Sequence, residues 1–143
     1  MFNFFPAIDI VTMCQLIYCI EPTLEAEDKL VNYLSKLNIQ PDIDFFNQLM
    51  SKRCSRKNGK KHVMDLFDKI SHYGLAPNMM TFGCVAVACA KKYEIFKFLR
   101  DMREAGIKPH IQIMGALIGN ATRVLKKPEV GKRLIFLILK EGK

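Results

Sequence analysis

The chain has 143 residues, half of them apolar, with 22 Lys and Arg against 14 Asp and Glu. This composition excludes intrinsic disorder, because a half-apolar chain of this length can bury a core, and it indicates one domain. The net charge of +8 favours a polyanionic partner, although five carboxylates and no Lys or Arg precede Lys29.

The opening segment, residues 1–20, is apolar but has neither the basic start of a secretory signal nor the Arg-rich character of a transit peptide. Asp9, Thr12 and Gln15 interrupt it, so no stretch is long enough to cross a bilayer. We therefore expect a buried helix, no membrane partner and no targeting segment visible in this chain.

Apolar residues recur with helical spacing along the chain, for example at Val63, Leu66, Phe67 and Ile70. The pattern predicts eight helices, at 7–20, 23–37, 43–55, 61–73, 79–90, 93–105, 111–123 and 128–141. Pro22 and Pro128 suit positions in the first turn of the second and the last helix. Strand-like alternation does not occur.

Three similar segments separate pairs of these helices: KLNIQPD at 36–42, HYGLAPN at 72–78 and EAGIKPH at 104–110. Gly74 and Gly106 can take the left-handed conformation that ends a helix, and the proline after each prevents the helix from resuming. The next helix then begins beside Asp42, Asn78 or His110, of which the first two are good N-caps.

The spacing of these stops predicts one helical-repeat domain over residues 1–143, with units at about 8–42, 43–78, 79–110 and 111–143, the last incomplete. A helix pair of this size cannot bury its apolar face alone, so neighbouring pairs stack. The fold class is therefore all-α, a right-handed αα-solenoid of helix-turn-helix repeats. One helix of each pair lines the inner surface.

Basic residues gather at the turns between the two helices of the units. They are Lys52, Arg53, Arg56, Lys57, Lys60 and Lys61 in the second unit, Lys91 and Lys92 in the third, and Arg123, Lys126 and Lys127 in the fourth. Because the turns stack, we expect one positive edge along the solenoid, which a phosphate backbone would follow. Such contacts position a strand without reading its sequence.

Other chemistry is not indicated. Five cysteines without a C-x-x-C pair argue against a zinc site or a disulfide framework, and His62, His72 and His110 lie far apart in the sequence. Gly131-Lys132 lacks the spacing and the following Ser or Thr of a phosphate loop. We predict no enzyme, no cofactor, no metal and no small-molecule substrate.

Four aromatic residues of the second helices are predicted to belong to the core and not to stack on bases, because second helices face away from the groove. They are Phe67, Tyr93, Phe96 and Phe98.

Units of about 35 residues that end in G-[IL]-x-P-[DN], with a start such as Met79-Met80-Thr81-Phe82, resemble pentatricopeptide repeats. The resemblance covers nearly the whole chain. Tetratricopeptide repeats share the architecture, but their Trp, Leu-Gly and Ala-x-x-x-Phe signature does not occur here.

The resemblance implies a reader of single-stranded RNA, in which two or three side chains of each repeat recognise one base. The fifth and last residues of a unit would face the base. These are Thr12 with Asp42, Asn47 with Asn78, and Gly83 with His110, while Gly115 has no partner. By similarity to the family's pairing code, the first pair would favour guanine, the second a pyrimidine, and the third no particular base.

The resemblance also implies a role in mitochondrial RNA processing or stability, in the matrix, with RNA-processing proteins as further partners. A protein-interaction scaffold of tetratricopeptide-like repeats is the alternative. It is favoured by the acidic first unit, by aspartates at the second position of two units (Asp9 and Asp44), and by glycines where readout side chains should be.

Overall fold

The computed structural model describes residues 9–89, 91–124 and 128–141, and these residues form eight α-helices and no strand. The helices are α1 (Ile10–Cys19), α2 (Leu24–Lys36), α3 (Ile43–Ser55), α4 (Val63–His72), α5 (Met79–Ala88), α6 (Lys92–Glu104), α7 (Ile111–Val124) and α8 (Pro128–Glu141). A short 3₁₀ helix at Gly59–His62 precedes α4. The all-α prediction is confirmed.

The helix ends follow the expected chemistry with two differences. Pro128 is the first residue of α8 as predicted, whereas Pro22 lies before Thr23, whose hydroxyl caps α2 by accepting from Ala26 N at 3.1 Å. The prediction for Pro22 is therefore wrong, because the threonine supplies a hydrogen-bonding cap that a proline ring cannot. The predicted start of the first helix at residue 7 lies outside the described residues.

The helices α2, α4 and α6 end in the same turn. Asn38, Gly74 and Gly106 have φ of 54°, 67° and 69°, and the N–H of the next residue bonds back to a carbonyl five positions earlier. This confirms the conformation predicted for the two glycines. In the first unit an asparagine takes it instead, which Asn tolerates better than other residues with a side chain.

Each of these turns leads into a capped helix. Asp42 Oδ1 accepts from Phe45 N at 2.8 Å, and Asn78 Oδ1 accepts from Thr81 N at 3.2 Å. His110 Nδ1 accepts from Gln112 N at 3.1 Å and so does the same for α7. The last residue of each proposed unit is thus also the residue that starts the next unit's first helix.

The first helices of the pairs, α1, α3, α5 and α7, pack side by side in chain order, and each second helix packs against its own partner. The core runs between the two rows. Phe82 of α5 contacts Phe67 of α4 and Phe98 of α6, with ring centroids 5.7 and 5.6 Å apart. This arrangement is the predicted helical solenoid.

The prediction that the aromatic residues of the second helices are core residues is only half right. Phe98 is buried and Phe67 is half-buried, but Tyr93 is 63% exposed and Phe96 is 40% exposed. Both exposed rings lie in the first turns of α6, on the side away from Ile95 and Leu99, which carry the buried face of that helix. Their position beside the turn exposes them.

Among the described helices, we find none that combines the length and the apolar character needed to cross a membrane.

Candidate nucleic-acid interface

The first predicted readout pair lies at the start of the solenoid. Thr12 is exposed, and its N–H and hydroxyl both donate to Asp9 Oδ1 at 2.9 Å, which lowers the pKa of the Asp9 carboxyl. Asp42 caps α3, and in the described part of the chain no hydrogen bond joins it to Thr12. Each side chain of this pair is engaged with its own helix start.

The second pair is brought together by the fold. Asn47 Nδ2 donates to Asn78 Oδ1 at 3.0 Å, and the Thr81 hydroxyl donates to Asn47 Oδ1 at 2.6 Å. Asn47 is only 1% exposed, whereas Asn78 lies at the surface. The buried amide is therefore satisfied by two residues of the next helix start, and within the described residues the Asn78 amide nitrogen is the atom of the pair that donates no hydrogen bond.

The third pair borders an open groove of about 650 Å³ between α3, α5 and α7. Gly83 forms part of its floor, where an added Cβ would meet nothing within 4 Å. Met80, which is 60% exposed, and His110 lie on its walls. Apart from His110 and Gln112, the walls are apolar or carry small side chains, so this part of the inner surface offers space and few hydrogen-bonding groups.

Two cysteines that line the same groove, Cys54 of α3 and Cys84 of α5, are in contact with each other. The Cys54 thiol donates to the Cys84 carbonyl at 3.4 Å and to the Cys84 sulfur, which lowers the pKa of Cys84 and raises that of Cys54. Burial raises the pKa of Cys89, near the end of α5, to about 12. Of the two thiols, Cys84 therefore ionises first as the pH rises.

The basic residues predicted at the turn of the second unit separate into two groups. Arg53 is 4% exposed, and its Nε bonds to Glu27 Oε2 at 2.6 Å while Nη1 donates to the His62 carbonyl at 2.6 Å. Arg56 pairs with the other oxygen of Glu27, which is itself 1% exposed. The expectation that these arginines lie on an exposed edge is wrong, because one buried carboxylate holds both of them.

Lys52 is also engaged within the fold. Its Nζ donates to the carbonyls of Ile17 and Ile20, the latter at 3.0 Å. These carbonyls lie at the end of α1, where a helix leaves acceptors without partners and favours a cation. Lys52 is thus a cap contributed by the next unit, and its placement on a free basic edge is wrong as well.

The turn that carries these residues needs its glycine. A Cβ at Gly59 would lie 1.9 Å from the carbonyl oxygen of Arg53, a separation that atoms cannot adopt. The chain approaches α3 closely at this point and lets the His62 carbonyl reach the Arg53 guanidinium.

The second group is exposed. It consists of Lys57, Lys60, Lys61, Lys91 and Lys92, and we call it the basic edge. Lys60, Lys61 and Lys91 border one cavity of about 660 Å³, so the turns of the second and third units do lie side by side. Lys126, Lys127 and the side chain of Arg123 lie outside the described residues.

Sequence reasoning missed Glu27 and Thr81. Glu27 lies 26 residues from Arg53, in the acidic segment that precedes Lys29, and nothing in its local sequence signals that this carboxylate is buried. A local signal for Thr81 did exist, because it is three residues after Asn78, the spacing of a capping box. The structure contains that capping box. The second contact of Thr81, to Asn47, has no local signature.

No group of three or more His, Cys, Asp or Glu residues in the described ranges is arranged to hold a metal ion.

Comparison with known proteins shows what part of the chain is similar to. Residues 29–92 match the sequence profile of the pentatricopeptide repeat domain. The mitochondrial pentatricopeptide repeat-containing protein 1 of Mus musculus is 30% identical over 117 residues, 82% of this chain and 17% of that protein. The Homo sapiens protein of the same name is 31% identical over the same shares.

A plant protein is also similar. The chloroplastic pentatricopeptide repeat-containing protein At1g15510 of Arabidopsis thaliana is 25% identical over 104 residues, which is 73% of this chain and 12% of the plant protein. The chain therefore spans less than a fifth of the length of the mitochondrial relatives, at 17%.

Proposed function

We propose that this chain binds single-stranded RNA without catalysing a reaction, because residues 29–92 match the pentatricopeptide repeat domain, whose members generally bind RNA. Its place would be mitochondrial RNA processing or stability, in the matrix, because the relatives in mouse and human are named as mitochondrial. Proteins that process RNA would be further partners.

The observation that carries this proposal is the basic edge. Five exposed lysines follow the stacked turns of two units, and the three at the shared cavity come from both turns. Neutralising phosphates at such an edge releases counterions, which gives affinity that falls steeply with salt. Lys57, Lys60, Lys61, Lys91 and Lys92 would hold the backbone, and Arg123, Lys126 and Lys127 would extend the track.

Base readout would come from the inner row of helices. Asn78 would present its amide nitrogen to a base while Asn47 donates to its oxygen. Thr12 and Asp42 would read the neighbouring base after their hydrogen bonds to Asp9 and to Phe45 N are broken. At Gly83 and His110 the groove would accept a base with little discrimination, because the glycine contributes no side-chain hydrogen bond.

The experiment is a fluorescence-anisotropy titration of the purified chain with short single-stranded RNA pools at two salt concentrations, against double-stranded RNA and heparin. We expect preference for single strands and affinity that falls with salt. Binding to heparin as tight as to single-stranded RNA would contradict the proposal, since it would show non-specific electrostatic binding to any polyanion.

One observation favours a second function, the binding of a peptide or helix from a protein partner. Met79, Met80, Val87 and Ile113 give the groove beside Gly83 an apolar wall, and none of the described residues that line it is a lysine or arginine. Amphipathic helices bind in such grooves through their apolar faces. A pull-down partner whose binding survives charge reversal at Lys57, Lys60 and Lys61 would favour this function over RNA binding.

A further inference from the structure

We propose that the cavity between the turns of the second and third units is a nucleotide site, in which Tyr93 stacks on a base and Lys60, Lys61 and Lys91 hold the adjoining phosphate. This inference rests on the proposed RNA binding and adds to it a base contact outside the inner row of helices.

The shape of the site is the first argument. The cavity measures about 660 Å³, within the range of roughly 300–1,000 Å³ that holds small ligands. Met64, Val87 and Cys89 supply an apolar lining, and the lysines border the same space. An apolar lining with cations beside it fits a nucleotide, which has a flat base and a charged phosphate.

Tyr93 is the second argument. Its ring is 63% exposed at the cavity, although an aromatic side chain in a helix of this fold could be expected in the core. The Lys91 ammonium lies 5.7 Å from the ring centroid. An exposed ring can stack on any base, because every base presents a π-face, and an ammonium that lies over the ring is near enough to pair with the phosphate of the same nucleotide.

The charges around the cavity favour an anion. Arg56 also borders it but is paired with the buried Glu27, and Glu94, the carboxylate at the cavity, accepts from the Lys91 backbone N–H at 2.8 Å. The cavity is therefore bordered by three lysines and by one carboxylate, and that carboxylate is engaged in capping α6. The side chain of Asn120 is fixed by the carbonyls of Ala86 and Val87, so it forms a rigid part of the wall.

Two sources could supply such a ligand, a nucleotide within an RNA strand or a free nucleotide. The test uses the full chain with oligouridine that carries 4-thiouridine, and separately with 4-thiouridine monophosphate. After irradiation, the cross-linked peptides are identified by mass spectrometry. We expect a cross-link in the peptide that contains Tyr93, and from the strand a further cross-link beside the inner groove.

Affinity for oligouridine is measured on three variants with matched folding, as judged by circular dichroism. Tyr93→Ala should weaken binding roughly fivefold or more, the loss expected for one stacked base. Tyr93→Phe keeps the ring and should stay within about twofold, as should Tyr18→Ala, the control at a tyrosine that is 68% exposed on α1.

The outcomes separate the two claims. Single-strand preference with cross-links only at the inner groove, and Tyr93→Ala equal to Tyr18→Ala, would overturn the nucleotide site and leave RNA binding in place. A cross-link at Tyr93 from the monophosphate alone would support the site and assign it to free nucleotides. The nucleotide site would be overturned if neither probe cross-links at Tyr93. It would also be overturned if polyglutamate displaces the RNA as well as unlabelled oligouridine does.

Discussion

Helices α3 and α5 begin neighbouring units, yet they use their polar residues in different ways. Along α3, Asn47, Lys52 and Arg53 are each engaged by another element, namely the start of α5, the end of α1, and Glu27 on α2. Helix α5 has no lysine or arginine and leaves an open groove at Gly83. The polar side chains of α3 therefore hold neighbouring units together, whereas α5, one unit further along the chain, borders the open groove.

The difference shows why a count of basic residues overstates a binding surface. Six cations lie close together in sequence around the turn after α3, but Lys52, Arg53 and Arg56 stabilise the stacking of the first two units. Only Lys57, Lys60 and Lys61 remain exposed. A cation that is buried against a carboxylate has no charge to offer a phosphate.

The largest change in stability that tests this difference between α3 and α5 is expected at Glu27. Glu27→Ala leaves Arg53 buried without its carboxylate and should lower the free energy of unfolding by about 3–5 kcal/mol, measured by urea denaturation. Glu25→Ala, on the same helix and 79% exposed in its pair with Lys29, should change it by less than about 0.5 kcal/mol. Equal losses in the two variants would show that Glu27 does not hold the turn.

A second effect is expected at Thr81, which joins the two helices. Thr81→Val removes the donor to Asn47 Oδ1 and leaves a buried acceptor without that partner, at a cost of about 1–3 kcal/mol in unfolding free energy. Thr122→Val is the control, since that residue is exposed and its hydroxyl donates to the Gly119 carbonyl within its own helix. A Thr81→Val protein as stable as the control would mean that the buried amide finds another partner at no cost.

A smaller effect of opposite sign is expected on the open side, at Gly83. Nothing lies within 4 Å of an added Cβ there, so Gly83→Ala should raise the unfolding free energy by about 0.5–1 kcal/mol through lower backbone entropy in the unfolded chain. Gly115→Ala, also in a helix with open space, should behave alike. Destabilisation at Gly83 by thermal melting would show that the groove is closed in solution.

The two cysteines between α3 and α5 give the smallest effect. Because the hydrogen bond from Cys54 lowers the pKa of Cys84, the Cys84 thiolate forms at lower pH than the Cys54 thiolate, whose pKa is raised. Iodoacetamide should therefore label Cys84 before Cys54 as the pH rises toward 9.0, the ordinary thiol value here. Mass spectrometry of the labelled peptides measures this order, and labelling of Cys54 first would contradict the inferred order of ionisation.

Cys89 supplies the internal reference for that experiment. Its thiol is buried and has a pKa of about 12, so it should stay unlabelled while the chain is folded and react after denaturation.

Much of the fold could be predicted from the sequence because its signals are local. Helical periodicity, the left-handed turns at Gly74 and Gly106, and the caps at Asp42 and Asn78 each depend on residues within one or two turns. The all-α solenoid follows from their recurrence. Even Asn38, which replaces glycine in the first turn, is a residue that tolerates the same backbone conformation.

The site could be predicted less well because its partners are distant in sequence. The contact between Asn47 and Thr81 spans 34 residues, and that between Glu27 and Arg53 spans 26. Whether one of these cations is buried depends on whether it lies on α3 or beyond its end. Arg53 is in the last turn of α3 and is buried, whereas Lys57, four positions later, lies after the helix has ended at Ser55 and is exposed. The exposure of Tyr93 likewise depends on where α6 begins relative to the stacked turns.

The measurement that tests the central claim most directly is the salt dependence of RNA affinity for two double variants. Lys60→Ala with Lys61→Ala removes two exposed ammonium groups of the basic edge, and Lys36→Ala with Lys108→Ala removes two exposed lysines elsewhere. The slope of log K against log salt should fall by about 1.4 in the first variant, since each single-strand phosphate contact contributes about 0.7. It should be unchanged in the second. Equal slopes in the two variants would contradict the account, because RNA would then sense only the total charge.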